Sequence, residues 1–423
     1  MSNEQLAISN EQLAMSNEGK QSRLDELIRE LCPDGVAYVA LETVCLISKG
    51  IQFNKKDMHD EGTYPVINGG INPSGYIEQY NQEEKTITIS QGGASAGFVN
   101  WLDTKFWAGA HCYVLKPTNN VLNRYLFHFV KSKEYKLQEC QYGAGIPALA
   151  KSTVASLEIP VPPLPVQSEI VRILDNFTEL TAELTAELTA RRKQYEYYRD
   201  ALLSFGKVSL PLTFGLNNEE VRKMTLGEVI VSLNTGLNPR QFFKLNTDDA
   251  CNYYVTIREI QNGTIVFSDK TDKINDEALK LCNNRSNLEV GDVLFSGTGT
   301  IGETAVISKP PTNWNIKEGV YVIKPRKDMI NSRFLMYILR TDVMKAAIAK
   351  KVAGGTVKSI PMAEMRKLQI PVPSLSVQNR IVNVLDNFDA ICSNLKIGLP
   401  AEIEMRRKQY EFYRDRLLSF KCK

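Results

Sequence analysis

Histidine is scarce in this chain, since only His59, His111 and His128 occur among 423 residues. The eight cysteines include no Cys-x-x-Cys pair, so the ligands that zinc prefers are too few and too scattered to predict a metal site. Dispersed thiols are typical of proteins kept in a reducing compartment. We therefore expect a cytoplasmic protein without a bound metal.

Catalytic signatures are also missing. The sequence contains no Walker A phosphate loop, and neither the Asp-Pro-Pro-Tyr nor the Asn-Pro-Pro-Tyr/Phe tetrapeptide of amino-methyltransferases. Two Glu-x-Lys groupings, at residues 83–85 and 134–136, resemble nuclease motifs, but no matched aspartate accompanies them in both halves of the chain. We expect both to be solvated surface charge, and we expect the chain not to be an enzyme.

One glycine pattern does match a nucleotide-binding fingerprint. Residues 297–302 read GTGTIG, but a dinucleotide site needs a helix directly after the third glycine. The following ETAVISKPP is typical of a strand and a turn. The pattern therefore predicts a glycine-rich β-turn loop.

Long apolar runs are absent as well, since none approaches the ~18 residues that a membrane span needs. Residues 1–20 are polar and acidic and do not resemble a secretion signal. A hydrophobic content of 43% is ordinary for a globular protein, and the length predicts two or three domains. A net charge of +3 permits nucleic-acid binding without indicating it.

Internal repetition is the strongest signal that the chain does contain. Residues 159–177 and 370–388 are identical at 13 of 19 positions, and residues 191–205 and 406–420 at 13 of 15. The regions that precede each pair differ almost completely in sequence. A duplicated scaffold with two divergent inserts predicts recognition of two different sites.

Each repeat pair predicts one long helix with a coiled-coil seam, because apolar residues recur with 4-3 spacing after a proline-rich lead-in. The first seam comprises Ile170, Leu174, Phe177, Thr181, Leu184, Leu188, Arg191, Tyr195, Tyr198, Leu202 and Phe205. The second comprises Ile381, Leu385, Phe388, Cys392, Leu395, Leu399, Ile403, Arg406, Tyr410, Tyr413, Leu417 and Phe420. Gly398 and Pro400 predict a kink or restart near residue 400. Chain order predicts that the two helices pair antiparallel, with an approximate internal two-fold.

The two variable regions are predicted to share one fold. KMTLGEVI at 223–230 is similar to YVALETVC at 38–45, and FSGTGTIGETAVI at 295–307 is similar to ISQGGASAGFV at 89–99. The second region is about 26 residues longer, which we interpret as variation in loops. The SNEQLA repeats at residues 2–15 are expected to be frayed or weakly helical, and a short amphipathic helix is expected near residues 24–31.

The loops of both regions are rich in side chains that bind DNA bases and phosphates, since Asn and Gln pair with adenine, Arg with guanine and Lys with phosphate. The candidates in the first region are Lys49, Gln52, Asn54, Lys55, Lys56, Asn68, Asn72, Gln91, Ser95 and Lys151. The candidates in the second region are Asn238, Arg240, Gln241, Lys244, Arg258, Gln261, Arg285, Thr298, Thr300 and Lys358. Any one of them taken alone is more often an ordinary surface residue, and their recurrence in corresponding loops of the two regions is what favours binding. Lys151 and Lys358 are predicted to occupy comparable positions.

Together these motifs resemble one family, the specificity subunits of type I restriction–modification systems. The resemblance covers residues 22–423 and rests on LCPDG at 31–35, the two repeat pairs and TAELTAELTA at 181–190. It implies an α+β protein with two mixed α/β target-recognition domains joined by two long antiparallel helices. It also implies that each domain reads one half of a split DNA sequence, and that the chain binds no cofactor of its own.

The same resemblance implies partners. Two modification subunits would hold S-adenosylmethionine and methylate adenine, and restriction subunits would use ATP and Mg to translocate and cleave DNA. The implied segments are an N-terminal extension (1–38), a first recognition domain (39–158), a central helix (159–206), a linker (207–223), a second recognition domain (224–369) and a C-terminal helix (370–423).

Two other classes of protein remain open from the residues alone. A coiled-coil scaffold without DNA readout would explain the helices but not the paired divergent regions. A self-contained DNA-modifying enzyme would need a catalytic motif that the sequence does not contain.

Overall fold

Two units, each with its own hydrophobic core, divide the chain. Unit 1 comprises Met1–Leu184 and Ile403–Lys423, and unit 2 comprises Thr185–Glu402. The computed structural model describes residues 23–143, 145, 147–205, 221–355, 357–393 and 398–423. The SNEQLA repeats and most of the predicted linker lie outside these ranges.

Unit 1 is a mixture of short strands and helices that ends in one very long helix. Its elements are α1 (residues 23–31), β1 (Tyr38–Ala40), α2 (Leu41–Val44), β2 (Cys45–Lys49), β3 (Tyr64–Ile67), β4 (Tyr76–Ile77), β5 (Thr86–Ser90), β6 (Val99–Leu102), β7 (Trp107–Ala108), β8 (Cys112–Pro117), α3 (Asn123–Ser132), α4 (Glu134–Glu139), α5 (Lys151–Ala155), β9 (Glu158–Pro160) and α6 (Leu164–Leu203). The second part of α6 belongs to unit 2.

Unit 2 repeats this order with additions. Its elements are β10 (Arg222–Thr225), α7 (Leu226–Val229), β11 (Ile230–Thr235), α8 (Pro239–Phe242), β12 (Asn252–Val255), β13 (Ile260–Gln261), β14 (Thr264–Ile265), β15 (Lys273–Ile274), α9 (Asp276–Ser286), β16 (Val293–Ser296), β17 (Thr304–Val306), β18 (Trp314–Ile316), β19 (Val320–Pro325), α10 (Ser332–Leu339), α11 (Asp342–Ala349), α12 (Met362–Arg366), β20 (Gln369–Val372), α13 (Leu375–Ser393) and α14 (Leu399–Leu417). Most of α14 belongs to unit 1.

The sheets of the two units have the same topology. A four-stranded antiparallel sheet has the order β2-β8-β5-β6 in unit 1 and β11-β19-β16-β17 in unit 2. A three-stranded sheet has the order β4-β3-β7 or β15-β12-β18, with one antiparallel and one parallel pair in each. The predicted α+β class and the shared fold of the two regions are therefore confirmed.

The extra length of unit 2 is not only loop, which corrects the interpretation from sequence. Helix α9 and the short hairpin β13–β14 lie between β12 and β16. Asn275 caps α9 by accepting a hydrogen bond from the Ala278 amide, and Asn287 ends it in the left-handed region at φ 44°. Both are ordinary helix-end signals that could have been recognised in the sequence.

The long helices form because their seams are buried in the two cores. Ile170 and Leu174 of α6 are fully buried in unit 1, and Ile381 and Leu385 of α13 are equally buried in unit 2. The predicted first helix is confirmed as a single run of 40 residues. It ends two residues before Phe205, which has a left-handed φ of 37°.

Within each unit, a segment of one long helix packs on a segment of the other. In unit 1 the Phe177 ring stacks on Tyr413 with centroids 5.3 Å apart. In unit 2 Tyr198 contacts Phe388 at 5.6 Å, while Arg191, earlier on α6, interacts electrostatically with Cys392, later on α13. The two segments of unit 2 therefore run antiparallel, as predicted.

The helical region at the C-terminus is interrupted. Helix α13 ends at Ser393, and α14 begins at Leu399 with Pro400 in its first turn. A proline is tolerated there because backbone N–H groups of the first turn have no partner within the helix. This agrees with the predicted restart near residue 400. Across the described ranges, no helix combines the length and apolar character that a bilayer crossing needs.

Candidate nucleic-acid interface

The loops of unit 1 cross at glycine residues. A side chain at Gly50 would overlap the carbonyl oxygen of Ala108, and a side chain at Gly69 would overlap that of Gly92. The amide of Ile51 also donates to the Ala108 carbonyl at 2.8 Å. Glycine is required at such close approaches because it has no Cβ. As a result, the loops that carry the predicted residues of unit 1 lie side by side.

Unit 2 builds the same crossing from different residues. A side chain at Gly236 would overlap the carbonyl oxygen of Ile316, and one at Gly297 would overlap the Tyr321 ring. The Gly297 amide donates to the Gly319 carbonyl at 2.8 Å. The loops that follow β11, β16 and β18 therefore meet in unit 2, as those that follow β2, β5 and β7 meet in unit 1.

A further loop joins this crossing in each unit. In unit 1, Tyr142 and Ala148 exchange two backbone hydrogen bonds of 2.9 Å, and Gly93 donates to the Pro147 carbonyl at 2.8 Å. Tyr142 is 58% exposed. Exposed Tyr142, next to the glycine-rich loop at 91–97, is therefore a candidate DNA contact. The sequence did not suggest it, because only the tertiary structure brings residue 142 close to this loop.

The equivalent loop of unit 2 corrects one prediction. Ala353 and Ser359 exchange two hydrogen bonds of 2.8 Å, and Gly299 donates to the Lys358 carbonyl at 2.9 Å. Lys358 is thus part of the loop crossing, at the position that a proline holds in unit 1. Lys151 is the first residue of α5 instead, so the expectation that these two lysines occupy comparable positions is wrong.

The glycine-rich segment 297–302 connects strand β16 to strand β17. Gly299 and Gly302 have φ values of +79° and +111°, which other residues rarely adopt. No helix follows the third glycine. The prediction of a glycine-rich turn loop followed by a strand is confirmed.

Most predicted residues of unit 1 lie at the surface. The exposed ones are Lys49, Gln52, Asn54, Lys55, Lys56, Asn72 and Lys151. Three others, Asn68, Gln91 and Ser95, are partly buried. Asn68 has a structural role, because its Oδ1 accepts a hydrogen bond from the His111 amide at 3.0 Å. Asn54 similarly accepts from the Lys56 amide at 3.2 Å.

The predicted residues of unit 2 divide in the same way. The exposed ones are Arg240, Gln241, Lys244, Arg258, Gln261, Arg285, Thr300 and Lys358. Asn238 caps α8 by accepting from the Arg240 amide at 3.0 Å. The Arg258 guanidinium is 2.8 Å from the Asp272 carboxylate, so part of its hydrogen-bonding capacity is already used. Thr298 is partly buried in the loop crossing.

One of the two Glu-x-Lys groupings is not plain surface charge. The Glu134 carboxylate accepts from the Val99 amide at 2.7 Å and pairs with Lys131 at 2.5 Å. Its side chain is only 21% exposed. The expectation of a fully solvated group is therefore wrong for Glu134, which ties α4 to strand β6.

A buried glutamine explains part of the first repeat. Gln167 is fully buried, and its side chain accepts from the Leu122 amide at 2.8 Å and donates to the carbonyls of Asn120 and Pro162 at 2.9 and 2.8 Å. These three bonds fix the start of α6 to the loop before α3. Sequence reasoning did not single out this residue, although its repetition in the second copy was the available signal.

The second repeat of this motif makes the same contacts in unit 2. Gln378 is fully buried, accepts from the Asn331 amide at 2.8 Å and donates to the carbonyls of Met329 and Pro373, both at 2.9 Å. In both copies, therefore, the glutamine of the Val-Gln pair attaches the start of the long helix to the rest of its unit.

An ion pair also ties each long helix to its unit. In unit 1 the Asp175 carboxylate accepts hydrogen bonds from the Arg124 guanidinium at 2.7 Å and from His128 Nε2 at 2.8 Å. The Tyr410 hydroxyl lies 3.0 Å from His128 Nδ1. In unit 2 the equivalent carboxylate, Asp386, accepts hydrogen bonds from the Arg333 guanidinium at 2.7 Å and from the Tyr337 hydroxyl at 2.6 Å. Tyr337 therefore stands where unit 1 has a histidine.

His128 is held neutral by this environment. Burial lowers the pKa of His128 and outweighs its hydrogen bond to Asp175, which raises it. Burial raises the pKa of Asp175, but the hydrogen bonds from His128 and Arg124 outweigh that effect and lower it. Since a carboxylate only accepts, Nε2 of the histidine donates to Asp175 and Nδ1 accepts from the Tyr410 hydroxyl.

We predict that unit 1 loses stability in mild acid more steeply than unit 2. In the unfolded chain His128 takes up a proton as the pH falls below its usual pKa of 6.5, whereas in the folded protein burial opposes protonation. The stability that neutral His128 contributes to unit 1 is therefore present above this pH and is lost below it. One proton limits the effect to about tenfold in the unfolding equilibrium for each pH unit. Hydrogen exchange of α3 and α10, corrected for intrinsic rates, measures it.

His128→Tyr is the matched control for this prediction, because it installs the residue of unit 2. The variant should remove the difference between the units. Equal loss of protection in α3 and α10 of the unchanged protein would contradict the assignment of the pH dependence to His128.

The comparison with protein families identifies the chain. The model of the type I restriction modification DNA specificity domain matches twice, over residues 33–191 and 218–405. These matches cover most of the chain, so it belongs to this family. The two matched regions contain the two copies of the duplicated fold and their loop crossings.

Individual relatives agree with this assignment. The chain is 30% identical over 384 residues to the specificity subunit of a type I restriction enzyme of Escherichia coli, covering 86% of the chain and 89% of that protein. It is also 30% identical over 380 residues to a protein named as a type I specificity subunit in Haemophilus influenzae, covering 86% and 90%. The crystal structure of a type I S subunit from M. genitalium has a similar fold, with a TM-score of 0.56 at 18% identity, covering 91% of this chain and 96% of that one.

Proposed function

We propose that this chain is the non-catalytic specificity subunit of a type I restriction–modification complex, and that each unit reads one half of a bipartite DNA target. The duplicated loop crossing carries the proposal. The loop after β5 of unit 1 contains Gln91 and Ser95, whereas the corresponding loop after β16 of unit 2 contains Thr298 and Thr300. Because base readout depends on side-chain type, two like folds with different loop residues fit two different half-sites.

The exposed cations and amides supply the means of contact. In unit 2, Arg240, Gln241 and Lys244 lie on or just after α8 and are exposed. Apart from the adjacent residues of the chain, no atom of the described residues lies within 4 Å of the place where a side chain of Gly299 or Gly302 would begin. This open glycine loop allows a DNA backbone to approach closely.

The catalytic groups would come from partners. We assign S-adenosylmethionine to two modification subunits that methylate adenine, and ATP and Mg to restriction subunits. The lack of phosphate-loop and methyltransferase motifs in the sequence supports this division of labour. Eight unpaired cysteines support a cytoplasmic location. The domain limits 39–158 and 224–369 stay predictions.

Exchange of residues 39–158 for the matching region of a relative tests the proposal. We expect one half of the methylated sequence to change and the other half to stay the same, because each unit has its own core and its own loop crossing. Sequencing of methylated adenines in cells that carry the chimera measures both halves at once.

The matched control is the reciprocal exchange of residues 224–369, which should change the opposite half. A chimera that altered both halves would contradict independent reading. Methyl transfer by the purified chain without a modification subunit would contradict the non-catalytic role.

A further inference from the structure

The loop crossing of unit 1 exposes three large apolar side chains. Ile51 is 62% exposed, Ile71 is 56% exposed and Tyr142 is 58% exposed. Within the described part of unit 1, neither isoleucine belongs to a hydrophobic core. A single exposed apolar side chain is ordinary on a protein surface. Three of them on loops that cross one another indicate contact with an apolar group.

Backbone hydrogen bonds join the loops that carry the two isoleucines. The Ile51 amide donates to the Ala108 carbonyl at 2.8 Å, and the Gly109 amide donates to the Ile67 carbonyl at 2.8 Å. The end of β7 and the turn after it therefore hold the loop after β2 and the loop after β3 together. The two isoleucines belong to one surface.

Ile51 is fixed in place before any ligand binds. Besides the hydrogen bond of its amide, its carbonyl accepts from the Trp107 indole Nε1 at 2.8 Å, and the Trp107 ring contacts Phe53 edge-on with centroids 5.1 Å apart. A β-branched side chain on a fixed backbone has few rotamers to lose. Such a side chain costs little entropy when it makes a contact.

The surroundings of Ile51 are basic. Lys49, Lys55 and Lys56 are exposed on the same segment, and residues 49–56 include no acidic residue. An apolar side chain among lysines fits a polyanion that also carries an apolar group. In a DNA duplex, the phosphates supply the negative charge and the 5-methyl group of thymine supplies the apolar contact in the major groove.

Unit 2 does not expose an apolar side chain at the position of Ile51. Leu237 follows Gly236 as Ile51 follows Gly50, but Leu237 is partly buried and packs against a cluster that contains Tyr254. The two units therefore present different chemistry at one position of their loop crossings. A contact made by Ile51 would act on one half of the target only.

We propose that Ile51 and Ile71 read thymine in the half-site of unit 1 by packing on its 5-methyl group. The inference rests on the proposed function and names the base and the chemical group that these residues recognise. Among the four standard bases, thymine alone carries a methyl group in the major groove, so an apolar contact selects it. The neighbouring lysines neutralise the phosphates on either side.

The test uses the complex of the full chain with its modification subunits and measures its affinity for the target duplex by fluorescence anisotropy. Mapping of methylated adenines gives the target, and the exchange of residues 39–158 shows which half unit 1 reads. Each thymine of that half is replaced in turn by deoxyuridine, which removes the methyl group and keeps the base pair. We expect binding to weaken about fourfold at the contacted thymines, as for the loss of one buried methyl group.

The variants Ile51→Ala and Ile71→Ala assign each methyl group to its side chain. Each variant should bind the natural duplex more weakly, and deoxyuridine at its own thymine should cause no further loss, because the two changes remove the same contact. Leu46→Ala is the matched control, since Leu46 is 64% exposed near the start of β2, the strand that leads to the Ile51 loop. It should leave both the affinity and the effect of deoxyuridine unchanged.

The outcomes separate the inference from the proposed function. If both alanine variants weakened the natural and the deoxyuridine duplexes equally at every thymine, the side chains would contact DNA without reading the methyl group. Unchanged affinity in both variants, or loss of modification subunits in place of DNA affinity, would also overturn the inference. All of these results would leave the proposed function standing. If the unchanged complex bound no DNA sequence preferentially, the proposed function itself would be overturned.

Discussion

Replacement of Gln378 by alanine is expected to destabilise unit 2 by about 3 kcal/mol. The side chain is fully buried and makes hydrogen bonds of 2.8, 2.9 and 2.9 Å to three backbone groups. Its removal leaves the Asn331 amide and the Met329 carbonyl, both partly buried, and the buried Pro373 carbonyl without these partners, and it also leaves a cavity. Chemical denaturation of the purified chain measures the loss.

Two further variants sharpen this prediction. Gln167→Ala should cost unit 1 a similar amount, because Gln167 makes the equivalent three bonds. Asn383→Ala is the control, since Asn383 is exposed on the same helix as Gln378, and it should change stability by less than about 0.5 kcal/mol. A loss below about 1 kcal/mol for both glutamine variants would contradict the role of these bonds.

Deletion of Thr185–Leu188 is expected to shorten the unspecified gap between the two half-sites by one or two base pairs. The four residues form one of the tandem TAEL units of the continuous helix α6. They account for about 6 Å of helix, and the duplex rises ~3.4 Å for each base pair. Sequencing of methylated adenines in the deletion strain measures the gap and both half-sites together.

The half-sites themselves should stay the same, because the deletion removes little buried surface. Leu188 is partly buried, while Thr185, Ala186 and Glu187 are exposed. Loss of four residues rotates the following helix by only about 40° relative to whole turns. Thr185→Ala, which keeps the length, is the control and should leave the gap unchanged. An unchanged gap in the deletion strain would mean that α6 does not set the spacing.

The loops were the least predictable part of this chain. The sequence correctly indicated the glycine loop at 297–302, because the residues after it are typical of a strand. It did not indicate that Asn68 holds the His111 amide or that Arg258 is paired with Asp272. Such partners lie far apart in the sequence, so residue type alone cannot separate a free surface group from one already engaged.

The sequence by itself determined two features of this protein, the long helices and the internal duplication. The 4-3 spacing of apolar residues specified the long helices, because a helix face is a local property of the chain. The duplicated peptides specified that the fold occurs twice, and the sequence lacks the Walker A loop and the amino-methyltransferase tetrapeptides.

Tertiary structure decided which residues meet. Gln167 bonds to the Leu122 amide across 45 positions, and Gln378 bonds to the Asn331 amide across 47. In unit 1 the segment that contains Tyr142 joins the loop crossing, and in unit 2 Lys358 takes part in the equivalent crossing, whereas Lys151 begins α5. Long-range contacts depend on how whole elements pack, and a short pattern carries no information about the element against which it will lie.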